Sequence, residues 1–210
     1  MITIFEALER VRVIPVVTLE RVEDAVPLAR ALITGGIRCM EVTFRTLVAA
    51  EAIAAIRQEC ADVLLGAGTV LTVEQAQQAQ AAGAQFMVSP GFNPRVVAHC
   101  LGHGVPIIPG IASATEIERA LEFGISVVKF FPAELLGGTA MMSALARPYT
   151  AVRFVPTGGI HLNNLAEYVA HPRVLACGGS WMVPAQSMAA GDFSQVTALS
   201  QQTLQIVGVM

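Results

Sequence analysis

At 210 residues the chain can bury one sizeable core, and no linker-like stretch divides it, so one domain over residues 1–210 is expected. Charged residues make up only 14% and the mean hydropathy is +0.59. Yet the longest uncharged stretches, Val96 to Thr115 and Val174 to Gly191, are interrupted by Pro, Gly, Gln and Ser, which excludes an unbroken apolar span of membrane length. A net charge of -3 with no basic run leaves no nucleic-acid footprint, so small molecules and copies of the chain itself are the expected partners.

The first ten residues, Met1 to Arg10, carry no basic leader, and Glu6 and Glu9 interrupt their apolar residues, so no secretory signal is expected there. Cys39, Cys60, Cys100 and Cys177 are scattered without metal-ligand spacing and read as buried, reduced thiols of a cytoplasmic protein.

Apolar runs bounded by Gly and Pro predict eight strands: Arg12 to Thr18, Ile37 to Phe44, Val63 to Gly66, Gln85 to Ser89, Val105 to Pro109, Ser126 to Phe131, Val152 to Thr157 and Val174 to Gly178. Between them, amphipathic spacing predicts helices over Val22–Thr34, Leu47–Cys60, Val73–Ala82, Pro94–His103, Ala114–Phe123 and Leu162–Val169. Gly35, Gly83, Gly104 and Gly124 stand where helix C-caps are expected. Strands rich in Val and Ile, alternating with helices, imply parallel pairing with both faces covered. Eight units of about 26 residues fit an α/β fold of the (β/α)8 TIM-barrel type. An open doubly wound sheet is the alternative, disfavoured because no Gly-x-Gly-x-x-Gly follows the first strand.

In such a barrel the chemistry collects at the C-terminal ends of the strands. Strand two reads Cys39-Met40-Glu41-Val42-Thr43-Phe44-Arg45, and its alternation puts Glu41, Thr43 and Arg45 on one face. A carboxylate in so apolar a strand needs a cationic or hydrogen-bonding partner. Lys129 is the candidate. The simpler reading is a structural ion pair, or a Glu41 that faces outward to a helix. Strand three ends Gly66-Ala67-Gly68-Thr69, whose small residues would let a ligand approach the backbone and whose threonine offers a hydroxyl. Strands four to six end at Ser89-Pro90, Ile108-Pro109 and Phe131-Pro132, where proline stops each strand and shapes the rim; Pro90 could touch substrate.

Lys129 sits in Val127-Val128-Lys129-Phe130-Phe131. Apolar walls disfavour its ammonium form and favour a neutral amine able to form a Schiff base with a carbonyl. A lysine that snorkels to solvent or pairs with a carboxylate is the plainer alternative. Strands seven and eight end in Thr157-Gly158-Gly159 and Gly178-Gly179-Ser180, and glycines at two neighbouring strand ends suit a phosphate held by backbone N–H groups. His99 and His103, spaced i,i+4, lack a third metal ligand and read as a helical face. His161 reads as the cap of the next helix, and Trp181, Met141 and Met142 as packing or subunit contacts.

Taken together, Gly35–Thr46, Gly66–Leu71, Gly83–Gly91, Lys129–Glu134, Pro156–Ile160 and Gly178–Trp181 closely resemble the 2-keto-3-deoxy-6-phosphogluconate (KDPG) and 4-hydroxy-2-oxoglutarate (KHG) aldolases, a class I family of the Entner–Doudoroff pathway. The resemblance implies a TIM barrel with a short N-terminal helix, a homotrimer, and cleavage of a phosphorylated keto acid without metal or organic cofactor. It implies Lys129 as the Schiff-base lysine and Glu41 as general acid/base, with Arg45 and Thr69 on the keto-acid carboxylate. Gly158, Gly159, Gly179 and Ser180, with Thr157, would hold the phosphate. Leu135-Leu136 and His161 depart from the common pattern at the rim. The rival readings are KHG cleavage on the same site, a phosphosugar isomerase, and a noncatalytic phosphometabolite-binding barrel.

Overall fold

A computed structural model describes residues 3–208. Met1 and Ile2, the start of the segment read for a leader, lie outside the described residues. The chain begins with helix α1 (Ile4–Val11), which Thr3 and Glu6 start as a capping box: Glu6 N–H donates to Thr3 Oγ1 at 3.2 Å and Thr3 N–H to Glu6 Oε2 at 2.7 Å. Strands and helices then alternate: β1 (Val13–Val17), a 3-10 turn at Val22–Asp24, α2 (Ala25–Thr34), β2 (Cys39–Thr43), α3 (Ala49–Glu59), β3 (Leu64–Gly68), α4 (Val73–Ala81), β4 (Phe86–Val88), α5 (Pro94–Gly102), β5 (Ile107–Ile108), β6 (Gly110–Ile111) and α6 (Ala114–Glu122). The second half continues with β7 (Val127–Phe130), α7 (Gly138–Ala146), β8 (Arg153–Pro156), α8 (Leu162–Ala170), β9 (Cys177–Gly179), α9 (Ala185–Ala190) and α10 (Ser194–Val207).

All strand pairings are parallel, and the strands curl into a TIM barrel in the order β5-β4-β3-β2-β1-β9 and β6-β7-β8. Regular ladders do not run unbroken around the barrel. At one seam, only the bridges Phe154–Val174 and Thr157–Gly178 join the β8 side to the β9 side. At the other, Pro109 splits the fifth expected strand into β5 and β6 instead of ending it. Proline has no N–H for the ladder, but the Pro109 carbonyl still accepts Lys129 N–H at 2.9 Å, so the chain resumes beside β7.

Every residue of β2 and β7 is buried, as expected for strands covered on both faces. The registers place Glu41 beside Val16 and Gly66, and Lys129 beside Gly110 and Val155.

Gly83, Gly104 and Gly124 take positive φ at helix ends, as the sequence predicts. Gly35 does not: its φ is -75°, and Gly36, at +92°, makes the left-handed turn. Gly35 is the C-cap of α2 as expected, with its N–H on Ala31 O, and it serves packing as well. A Cβ there would stand 2.4 Å from Ser200 Cβ, so its absence lets α10 lie against the end of α2.

Candidate active site

Glu41 and Lys129 meet inside the barrel. Nζ lies 3.7 Å from Glu41 Oε1, the two side chains are only 6% and 3% exposed, and Nζ stands 5.2 Å from the centre of the Phe131 ring. That separation permits attraction between charges but exceeds a direct hydrogen bond. Glu41 Oε1 is buried and meets no hydrogen-bond partner among the described residues. Buried polar atoms are rarely left so, and orphaned ones collect at functional sites. An amine and a carboxylate within reach of one small group can share its chemistry: the amine adds to a carbonyl and the carboxylate moves a proton.

Strand β3 makes room for this pair. A Cβ on Gly68 would fall 1.9 Å from Glu41 Oε1, and one on Gly66 would fall 2.3 Å from the Phe86 ring. The small residues expected to admit ligand therefore admit the Glu41 carboxylate and Phe86 first.

Thr69 follows with φ +55°, a conformation costly for a β-branched residue. Its neighbours hold it there, since Gly68 O accepts Phe44 N–H at 2.8 Å and Val70 N–H donates to Val88 O at 3.1 Å. Strain retained at a strand end beside an amine–carboxylate pair is a mark of functional positions.

A cavity of about 900 Å³ opens at the C-terminal ends of β1, β8 and β9. Of the predicted residues, Arg45, Thr157, Gly158, Gly159, Gly179 and Ser180 line it, together with Phe131 and Trp181. Glu41, Lys129 and Thr69 do not; Phe131, which lines the cavity, has its ring centre 5.2 Å from the Lys129 amine. Arg45 also departs from expectation. The strand ends at Thr43, so Arg45 stands in the following turn, exposed, instead of sharing the interior face with Glu41. Two threonines position that turn: Thr43 Oγ1 donates to Val17 O at 3.0 Å and Thr46 Oγ1 to Leu19 O at 2.7 Å.

The four glycines differ in their reasons. Gly158 and Gly159 adopt φ of +98° and +81°, which favours glycine. Gly178 leaves room for Thr157 Oγ1, which a Cβ there would meet at 2.4 Å, and Gly179 for the Trp181 ring, whose Nε1–H donates to Thr203 Oγ1 at 3.0 Å. Trp181 is thus both a packing residue and a cavity wall.

Pro90 is absent from the cavity lining; its carbonyl lies where a Cβ of Gly110 would be. His161 takes the N-cap position of α8, with its N–H donating to Asn164 Oδ1 at 2.8 Å. Among the described residues, no group of three metal-ligating side chains forms.

Sequence reading missed the loop after β1. Glu20, Arg21 and Asp24 line the cavity, and Arg21 grips the largely buried Asp24 through two hydrogen bonds of 2.8 and 2.9 Å, which hold its guanidinium above its usual pKa. Two charged residues three apart beyond a strand end were the available signal. Helix α9, which contributes Met188, carried none.

Fold and site define a TIM-barrel enzyme with an interior amine–carboxylate pair beside a glycine-walled cavity, an arrangement suited to carbonyl chemistry through an imine. The model of the KDPG and KHG aldolase family matches residues 4–199. A 2-dehydro-3-deoxy-phosphogluconate aldolase of Treponema pallidum is 99% identical over 210 residues, covering 100% of both chains. One of Haemophilus influenzae is 43% identical over 204 residues, covering 97% of this chain and 96% of its own. Among solved structures, KDPG aldolase of Legionella pneumophila, with pyruvate captured as a covalent carbinolamine, is similar at a TM-score of 0.92 and 39% identity, covering 96% of this chain and 98% of that one. The chain belongs to the KDPG and KHG aldolase family.

Proposed function

We propose that the chain is a class I aldolase that cleaves 2-dehydro-3-deoxy-6-phosphogluconate to pyruvate and glyceraldehyde 3-phosphate. The observation that carries this reading is the buried Lys129–Glu41 pair in a chain of this family. Lys129 Nζ adds to the C2 carbonyl to give a carbinolamine, which loses water to a protonated imine. That imine is an electron sink, so when Glu41 takes the C4 hydroxyl proton, the C3–C4 bond breaks and the aldehyde leaves. Pyruvate remains as the enamine; a proton returns to C3, and water releases the keto acid and the free amine. The same residues cleave 4-hydroxy-2-oxoglutarate in the rival reading, which needs no phosphate contact. Lyase chemistry in the family disfavours the isomerase and the noncatalytic binder.

Arg45 and Thr69 take the keto-acid carboxylate in this reading, and Thr157, Gly158, Gly159, Gly179 and Ser180 the phosphate. Supporting it, the N–H groups of Gly158 and Gly159 have no acceptor among the described residues, and both glycines line the cavity with Ser180. We further propose one domain, a homotrimer and a cytoplasmic setting. Four buried free thiols favour the last, with burial pushing Cys100 up to about 11 and Cys177 to about 12.

Ser180→Asp tests the phosphate assignment by placing a negative charge beside the dianion. It should raise KM for the phosphorylated substrate at least tenfold while leaving 4-hydroxy-2-oxoglutarate cleavage within about twofold. Equal losses on both substrates would refute the assignment.

A further inference from the structure

The turn after β8 is held from outside at three consecutive carbonyls. Thr157 O accepts from Ala133 N–H at 2.8 Å, Gly158 O from Glu134 N–H at 3.1 Å, and Gly159 O from Asn164 Nδ2 at 3.1 Å. A trans peptide is planar, so each captured carbonyl fixes the following N–H in the opposite direction. The N–H groups of Gly158, Gly159 and Ile160, residues that all line the cavity, are therefore aimed by these three bonds.

Two of those bonds come from the backbone just after Lys129's strand. The third comes from a side chain fixed at both ends, because Asn164 Oδ1 also accepts His161 N–H at 2.8 Å. That pair of contacts settles which end of the amide faces Gly159. One turn further along α8, on the same face, the hydroxyl of the buried Tyr168 donates to the Glu134 carboxylate. Glu134 in turn packs beneath the glycines: a Cβ on Gly159 would meet Glu134 Cγ at 2.5 Å.

We propose that Asn164 and Tyr168 are positioning residues, which set the aim of the Gly158–Gly159 amides at the substrate phosphate and, through Glu134, lock that turn to the strand carrying Lys129. The proposal rests on the phosphate reading given above. Neither residue touches substrate. Each acts on it through the turn.

The test measures KM and kcat for 2-dehydro-3-deoxy-6-phosphogluconate in Asn164→Ala, Asn164→Asp and Tyr168→Phe, beside borohydride trapping of pyruvate. Asn164→Asp keeps the acceptor for His161 N–H and loses only the donor to Gly159. All three variants should raise KM about five- to tenfold, the weight of one hydrogen bond, with kcat and trapping changed less than twofold. A loss confined to the Asp variant would be charge repulsion and would overturn the proposal. So would a parallel fall in pyruvate trapping, which marks a general structural role. Ser180→Asp separates the two layers of the argument: if it weakens the phosphorylated substrate while these variants do not, the positioning role is wrong. If it does not, the phosphate reading fails and the proposal with it.

Discussion

The carboxylate of Glu41 is fixed by what its neighbours lack. Gly68 offers no side chain at the place where Oε1 lies, so Gly68→Ala would drive a methyl group into it. The moving part is the end of a side chain, so the fold should persist while the carboxylate turns away from Lys129. We expect Gly68→Ala and Glu41→Gln to share one phenotype, with carbon–carbon cleavage and C3 proton exchange of pyruvate slowed about 10²-fold or more, the usual weight of one positioned acid/base. Exchange followed by NMR checks this, and near-normal exchange in Glu41→Gln would assign the proton to another group. The Glu41–Lys129 pairing was legible in the sequence because both interrupt apolar strands. The reason for Gly68 was not, since strand register across β2 and β3 decides which side chain fills that gap.

At the scale of elements, the strand ends carried the signal and the strand interruptions hid it. Val/Ile runs located all eight strand positions, but Pro109 reads as a stop when it is a break that β6 follows. Arg45 was placed by extending the alternation of β2 beyond Thr43, where the chain has already turned. Helix α7 begins at Gly137-Gly138, which reads as a break, and α10 is held by contacts that no local pattern reveals, such as Thr197 Oγ1 to Ala31 O at 3.0 Å.

Helix α1 is tied to the start of β8 by a two-pronged pair, with Arg153 donating to both Glu9 oxygens at 2.8 and 2.9 Å. These hydrogen bonds, with the attraction of the guanidinium, hold the Glu9 carboxyl below its ordinary pKa. A lowered carboxyl pKa stabilises the folded form above the unfolded value, and that contribution is lost as pH falls through the folded one. Protection of the α1 amides, relative to intrinsic exchange at the same pH, should therefore fall on acidification below about pH 4.3, the ordinary glutamate value. Arg153→Ala should lower protection of the α1 amides already at pH 7 and reduce its acid dependence to the part that the Thr3–Glu6 capping box supplies. An acid dependence undiminished in Arg153→Ala would place the titrating group elsewhere than Glu9.

For the whole molecule, three of the five large apolar side chains exposed among the described residues stand just beyond strand ends, while Leu101 and Leu121 lie on α5 and α6. Leu47 is 101% exposed and Leu135 88%, in the turns after β2 and β7, with Leu71 after β3. Large apolar side chains so exposed near a working face favour self-association. Sedimentation of the full chain should give a species of three times 22.1 kDa, and Leu47→Glu with Leu135→Glu should shift it toward the monomer. A wild-type monomer at micromolar concentration would remove the trimer from the account. Composition bears on this only weakly, because a low charge content fits a buried core and a subunit interface alike.

The central claim is a covalent bond between Lys129 and the keto acid. Borohydride reduction of the full chain with pyruvate, with chelator present throughout, followed by intact-mass and peptide analysis, tests it most directly. One reduced adduct per chain is expected, on Lys129 and absent from Lys129→Ala, with cleavage activity indifferent to chelator. An adduct on another lysine, no adduct in an active preparation, or activity lost to chelator and restored by a divalent metal would contradict it.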